Sequence, residues 1–295
     1  MIPFTRKTGR QTALQTATDI ARRTATDIAR QTATDIARPA FALAALSLQI
    51  FVTSAWAQSS CSSDGKQPPA AFVERFISAD CDTCWTDPAT PKTKANELAL
   101  DWIVPTAKGD DAPLSAAATR DALTRLQTLR MQAPATATSR RHTVLALNAA
   151  TGKPQEMTPK LTPKLTLRVA HGVALGGYMG TSIEMKLAKG SALPHQPLTA
   201  WLMLVEEVPA GTDGTPVTRN LIRNSILSTW NINSLLLKAE QMDSQPPTTL
   251  PRLYESRPMS IPTGANPDRL RVVGWVEDAK GKVIASAASV CVELK

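Results

Sequence analysis

The chain has 295 residues, 43% of them hydrophobic, and a net charge of +8 at neutral pH. Half of this charge lies in the first 57 residues, and the remaining Lys and Arg residues form no cluster interleaved with aromatic residues. We therefore expect no nucleic-acid partner. The residues after 57 suffice for one large or two modest domains.

Residues 1–57 are predicted to be a secretory signal peptide. A basic stretch ending at Arg38 precedes an apolar run at 40–52 and the small residues Ala55 and Ala57, after which signal peptidase would cut. The expected location is therefore the periplasm. The alternative is a retained anchor, in a run that Gln49 interrupts. Contact with a membrane is expected only through this segment, if it is uncleaved.

The leader is long because it contains an octapeptide repeat. Residues 15–22 recur almost unchanged at 23–30 and 31–38. On a helix, a period of eight residues rotates each copy by about 80°, so the repeated isoleucines form no single stripe. This pattern favours a genetic expansion over a helix that lies on a membrane surface.

All four cysteines lie beyond the predicted cleavage site, in a compartment where disulfides persist. Of the three possible connectivities, Cys81 with Cys84 and Cys61 with Cys291 is the most economical. The second bond would join the two ends of the exported chain as a structural disulfide. The alternative is that Cys61 and Cys291 are thiols.

The segment 58–155 is predicted to be an α/β domain. Apolar runs at 72–77 and 98–104 indicate strands, and apolar residues at helical spacing indicate a helix over 115–131. Residues 143–147 indicate a further strand. With a short helix after the cysteine pair, the order is βαβαβ, which favours parallel pairing.

The segment 156–295 is predicted to be an antiparallel β-sandwich-like module that buries Trp201, Trp230 and Trp275. Proline and glycine separate its strand-like runs, and the glycine-rich stretch at 172–180 is expected to be a turn. A hairpin turn is expected at 278–281. The predicted strands are 183–187, 198–205, 221–227, 270–276 and 283–292.

The best functional clue is the Cys-x-x-Cys sequence of Cys81 and Cys84, directly behind the strand at 72–77. A helix N-terminus stabilises thiolate, so Cys81 is predicted to be the nucleophile and Cys84 the resolving thiol. Asp82 opposes this effect because its carboxylate disfavours a second negative charge beside it. The pair is therefore expected to form a reversible disulfide of moderately reducing character.

Residues 76–84, 98–104 and 142–148 resemble the secreted thioredoxin-like family of unknown function common in proteobacteria. Residues 217–221 and 271–276 resemble the appended β-module of related outer-membrane-associated proteins. The resemblance implies a thioredoxin-like domain over 58–155 and a β-rich module over 156–295, with Cys81 and Cys84 as the redox pair. The chain departs from thioredoxins at Val144, where a cis-proline is usual, and at Asp80, where thioredoxins carry tryptophan.

No cofactor or metal is predicted. His142, His171 and His195 are isolated and lack metal-ligand spacing. Arg219 and Arg223 are compatible either with an anionic partner or with a solvated strand face.

Two functions are compatible with the sequence. The first is an exported protein that exchanges disulfides with an unknown periplasmic protein through Cys81 and Cys84. The second is a non-catalytic envelope binding or scaffold protein in which that disulfide is fixed.

Overall fold

The computed structural model describes residues 61–148, 150–151, 153–158, 164–187, 196–231 and 253–291. The predicted signal peptide, its octapeptide repeat and His195 lie outside these residues. Fourteen strands and two α-helices are present in the described ranges. Neither helix of this part of the chain is long and apolar enough to cross a membrane.

The helices are α1 (Asp82–Trp85) and α2 (Arg120–Thr128). The strands, in chain order, are β1 (Cys61–Ser62), β2 (Ala71–Ser78), β3 (Glu97–Val104), β4 (Ala137–Thr143), β5 (Leu145–Leu147), β6 (Pro154–Glu156), β7 (Leu165–Leu175), β8 (Tyr178–Leu187), β9 (Leu198–Val208), β10 (Arg219–Trp230), β11 (Leu253–Ser260), β12 (Leu270–Glu277), β13 (Val283–Ala288) and β14 (Val290–Cys291).

Most of these strands belong to two large sheets. A seven-stranded sheet has the order β13-β12-β9-β10-β3-β2-β4, and a five-stranded sheet has the order β11-β8-β7-β1-β14. β5 and β6 form a small separate pair. Within the large sheets β2 pairs parallel with β3, β3 pairs parallel with β10, and every other pairing is antiparallel.

The five-stranded sheet packs on the β9–β12 half of the seven-stranded sheet. Gly274 permits the close approach, because a Cβ at this position would lie 2.7 Å from Cγ1 of Val169 and 3.0 Å from Cδ1 of Ile183. Apolar side chains from both sheets fill the space between them, among them Val169, Ile183, Leu202 and Val272. This layer buries the alternating apolar residues of the later strands.

The opposite face of the seven-stranded sheet is covered by α2. Thr119 caps this helix by accepting a hydrogen bond from the Asp121 N–H. Ala122 and Leu126 then pack with Phe76 and Trp102 of the sheet. The predicted helix over 115–131 is therefore present in shorter form, as the nine residues of α2.

The predicted α/β thioredoxin-like domain with a separate sandwich-like module is wrong, because the described protein is a β-rich fold. Its strands β2, β3 and β4 do not close a sheet of their own; they continue through β10 into the sheet that holds β9, β12 and β13. After α2 the chain returns antiparallel to β2 as β4, where a βαβαβ unit requires another parallel strand. The helical content is also low, since α1 is a single turn.

The Cys61–Cys291 disulfide joins the first and last described strands. Cys61 of β1 lies directly opposite Cys291 of β14, with their Cα atoms 4.0 Å apart. The bond spans 230 residues of sequence, and in the chain-entropy model a loop of that size stabilises the fold by about 5 kcal/mol. This pairing is the one that the sequence analysis favoured.

Candidate functional site: the Cys81–Cys84 cleft

The second disulfide lies at the end of β2. The chain turns after Ser78, whose carbonyl oxygen accepts a hydrogen bond of 2.9 Å from the Cys81 N–H. Cys81 precedes α1 as its N-cap, and Cys84 lies within the helix. The sulfurs are bonded to each other. The predicted local pairing of this Cys-x-x-Cys sequence is therefore present, directly behind a strand.

The two sulfurs differ in their access to solvent. Cys81 is 8% exposed and packs with Ile77, Trp85 and Leu221. Cys84 is partly exposed and lines an open cleft. The predicted nucleophile is thus the more buried of the two, and a helix of one turn supplies little of the dipole on which that assignment depended.

Arg219 of β10 holds the disulfide segment in place. Its Nη2 donates hydrogen bonds to the carbonyl oxygens of Cys84, at 3.1 Å, and Trp85, at 2.7 Å. The guanidinium carbon lies 5.0 Å from the centre of the Trp85 ring, a cation–π distance. The indole N–H of Trp85 donates to the carbonyl of Asp213 at 2.7 Å. These bonds satisfy the carbonyl groups at the end of α1 and fix it against the sheet.

The carboxylate of Asp101, on β3, binds both Arg75 and Arg219. It is fully buried and accepts from Arg75 Nη2 at 2.7 Å and from Arg219 Nη1 at 3.2 Å. The backbone N–H of Asn220 also donates to it, at 3.1 Å. Burial lowers the pKa of Arg219 from its ordinary value, while Asp101 opposes the shift. One carboxylate thus supports two guanidinium groups behind the disulfide.

The cleft beside Cys84 has a volume of about 420 Å³. Its walls are formed by β2, β3 and β4 and by the loop that follows α1. Four cationic side chains and two carboxylates line it, so the lining carries a small positive excess. These residues are Arg75, Lys92, Arg141, Arg219, Asp87 and Glu97.

The other face of β2 carries a closed charge network. Glu74 is fully buried and accepts from Arg125 Nη2 at 2.8 Å, and Arg125 also pairs with Glu277 at 2.8 Å. Nε2 of His142 lies 2.8 Å from Oε2 of Glu74, but the atoms are not aligned as a hydrogen bond. The indole N–H of Trp102 donates to Glu74 at 3.0 Å.

This network changes the ionisation of Glu74. Burial by itself raises the pKa of the Glu74 carboxyl, but the charge of Arg125 and the contacts with His142 outweigh burial and lower the pKa to about 2. Glu74 is therefore a carboxylate throughout the neutral range. Because the network is enclosed by α2 and the tryptophans, we assign it to the core and not to the candidate site.

The remaining predicted residues lie elsewhere. His171 is buried on β7, beside the Cys61–Cys291 disulfide. Arg223 pairs with Glu206 at 2.6 Å, so neither it nor Arg219 belongs to a solvated strand face. The tryptophans expected to be buried, Trp201, Trp230 and Trp275, are at most 7% exposed.

Sequence reasoning missed the charged residues that organise both faces of β2. A signal was available, because Glu74 and Arg75 interrupt one apolar strand and Asp101 interrupts another. Charged side chains inside apolar strands are seldom buried without a partner. Such interruptions therefore predict buried ion pairs, although they do not identify which residues pair.

Comparison with known proteins gives little further guidance. No protein-family model matches the chain, and no curated protein matches its sequence. Among solved structures, HBP35 of Porphyromonas gingivalis is similar at 10% sequence identity and a TM-score of 0.42, over 78% of this chain and 77% of that chain. A likeness this distant assigns neither fold nor function.

Proposed function

We propose that the protein is exported to the periplasm and exchanges disulfides with a protein partner through Cys81 and Cys84. The observation that carries the proposal is the position of Cys84 in the open cleft, bonded to a more buried Cys81. The predicted leader and the two disulfides are compatible with an oxidising compartment.

Exposure favours Cys84 as the sulfur that the partner reaches first. A partner thiolate attacks Sγ of Cys84, breaks its bond to Cys81 and forms a mixed disulfide, while Cys81 leaves as a thiolate and takes a proton from water. A second partner thiolate attacks the partner sulfur and releases Cys84. The partner is oxidised to a disulfide by two electrons, and the protein is reduced to a dithiol.

The cleft favours an extended polypeptide as the partner. β4 forms one wall, and among the described strands it has a neighbour on only one side. The backbone on its outer edge can therefore accept an added strand. The small positive excess of the lining favours acidic residues near the reacting cysteine.

The test compares two trapping variants of the exported chain, Cys81→Ser and Cys84→Ser, with Cys61 and Cys291 intact. In the reverse direction Cys84 attacks a partner disulfide and Cys81 then releases the partner, so Cys81→Ser accumulates mixed disulfides with oxidised partners, which dithiothreitol releases. Cys84→Ser serves as the matched control and accumulates few. The complexes are measured by non-reducing electrophoresis after acid quenching.

Two outcomes contradict this proposal in different ways. Trapping on Cys84→Ser alone would return the nucleophilic role to Cys81 and reject the order of attack given above. Trapping on neither variant, with both folded, would reject disulfide exchange altogether.

A second function is favoured by the way α1 is held. Arg219 and Trp85 tie the disulfide segment to β10 and to Asp213, as expected of a fixed element in an envelope binding protein. In that case a folded Cys81→Ser, Cys84→Ser double variant retains the cellular phenotype. Loss of the phenotype in the folded double variant would exclude this second function.

A further inference from the structure

Three potential metal ligands form one row across the five-stranded sheet. Cys61 of β1 lies directly opposite His171 of β7 on one side and Cys291 of β14 on the other. Residues that face each other on adjacent strands project to the same side of the sheet. A ring nitrogen of His171 and both sulfurs accordingly lie within 4.8 Å of one another.

The imidazole of His171 is held in the form that a metal requires. Its Nδ1 lies 2.9 Å from the Gly172 carbonyl oxygen, which can only accept, so Nδ1 carries the proton. Nε2 then has a lone pair, and it has no hydrogen-bond partner among the described residues. His171 is 3% exposed, so its ring is shielded from solvent.

We infer that reduction of the Cys61–Cys291 disulfide creates a binding site for Zn²⁺ or a similar thiophilic divalent cation, with Cys61, Cys291 and His171 as ligands. A dithiol or phosphine reductant supplies two electrons, and the sulfurs become thiols. Binding of Zn²⁺ then releases two thiol protons to solvent and forms two Zn–S bonds and one Zn–N bond. Water completes a tetrahedral set, as in other sites with three protein ligands.

The required movement is small. With Zn–S bonds of about 2.3 Å, the sulfurs of a tetrahedral site lie about 3.8 Å apart, compared with about 2.0 Å in a disulfide. Rotation of two cysteine side chains on paired strands covers this difference. Cys291 is exposed, so a reductant has access to one sulfur, while Cys61 is buried at 4%.

This site is independent of the proposed exchange reaction, because Cys81 and Cys84 do not contribute to it. The sequence shows no metal-binding motif for this site, because the three ligands lie on strands that are far apart along the chain. The strand register alone brings the ligands together.

The test uses the whole chain with Cys81→Ser and Cys84→Ser, so that only one cysteine pair remains. The protein is reduced with a phosphine and titrated with Co²⁺, which reports thiolate ligation by charge-transfer absorption. We expect saturation at one equivalent and displacement by Zn²⁺. His171→Gln should weaken Co²⁺ binding by more than about tenfold. Loss of a residue that only hydrogen-bonds to a ligand already weakens metal binding by about this much, and His171 is itself a ligand. His142→Gln, which removes an imidazole from the other sheet, should not.

Further controls make each outcome decisive. The oxidised protein, and a variant that also carries Cys61→Ser and Cys291→Ser, should show no charge-transfer absorption. If reduction alone unfolds the chain, Zn²⁺ should restore the native tryptophan fluorescence with His171 present but not with His171→Gln. Equal Co²⁺ binding by the His171→Gln variant, absence of binding by the folded reduced protein, or failure of Zn²⁺ to restore the fold would overturn the inference.

Discussion

Glu74 and Arg75 are neighbours on β2, yet they serve opposite faces of the same sheet. Glu74 points into an enclosed network with Arg125, under α2. Arg75 pairs with Asp101 and lines an open cleft that ends at Cys84. Both are carboxylate–guanidinium pairs of 2.7 to 2.8 Å, so the chemistry of the pair does not distinguish them.

What differs is the access of solvent. On the closed face Arg125 lies between two buried carboxylates, Glu74 and Glu277, and removing any one of the three leaves buried charge with less compensation. On the cleft face Asp101 and Arg219 are also buried, but the disulfide segment that they hold borders an open cleft, and Lys92 and Arg141 on its walls are exposed. The comparison indicates that one face of β2 maintains the fold while the other positions reactive sulfur.

The largest expected loss of stability comes from a substitution in the charge network on the closed face of β2. Glu74→Gln should lower the free energy of unfolding by about 3 kcal/mol, because Arg125 would lose one of its two buried carboxylate partners. Glu97→Gln is the matched control on the cleft face. Its partner Arg141 is half exposed, and a pair of this kind contributes about 1 kcal/mol or less. Urea unfolding of both variants measures the difference, and equal losses would remove the distinction between the faces.

Low pH should also destabilise the protein through the charge network on the closed face of β2. The pKa of Glu74 is lowered to about 2 from an ordinary value of 4.5, so its contribution is fully present above pH 4.5 and is lost as the pH falls towards 2. The full loss corresponds to about 3 kcal/mol. Urea unfolding at pH 6 and pH 3 should show about 2 kcal/mol of this loss in the parent protein and a smaller fall in Glu74→Gln. An identical pH dependence would contradict the role of Glu74.

Removing the disulfide of the cleft should cost less stability. Cys81→Ala with Cys84→Ala opens a loop of only three residues in sequence separation, for which the chain-entropy model gives about 2 kcal/mol. The variant should remain folded by circular dichroism and should lose exchange with thiol peptides. A loss of stability as large as that of Glu74→Gln would mark this disulfide as structural.

The smallest effect concerns the charge of the cleft. Lys92→Gln should leave the urea midpoint unchanged and slow the reaction with an acidic thiol peptide by a few-fold at low salt. The reaction with a neutral thiol peptide is the control and should not change. Equal slowing of both peptides would show that Lys92 acts through the shape of the cleft and not through its charge.

Local structure could be predicted well from the sequence where hydrophobic patterning determines it. The apolar runs gave β2 and β3, and the turn at 278–281 is present, with an Asp278 carbonyl accepting from the Gly281 N–H. β4 was missed because its residues are largely polar: one side faces solvent, and only pairing with β2 makes it a strand. Periodicity cannot report such an edge strand.

The fold class could not be predicted, because strand partners depend on contacts distant in sequence. A strand, a helix and another strand in order fit a thioredoxin-like unit as well as the first strands of a mixed sheet. β3 pairs parallel with β10 and so joins the early strands to the late ones. No sequence pattern near either strand indicates this pairing. At the candidate site, the disulfide between Cys81 and Cys84 was predicted. The roles of Asp101 and Arg219 were not, because only the pairing of β3 with β10 brings these two residues together.

The most direct test is to expose the oxidised protein to glutathione and identify by mass spectrometry which cysteine carries the first mixed disulfide. We predict glutathione on Cys84, with Cys61 and Cys291 still bonded to each other. Glutathione first on Cys81, or opening of the Cys61–Cys291 bond before the Cys81–Cys84 bond, would contradict the assignment of the cleft as the reactive site.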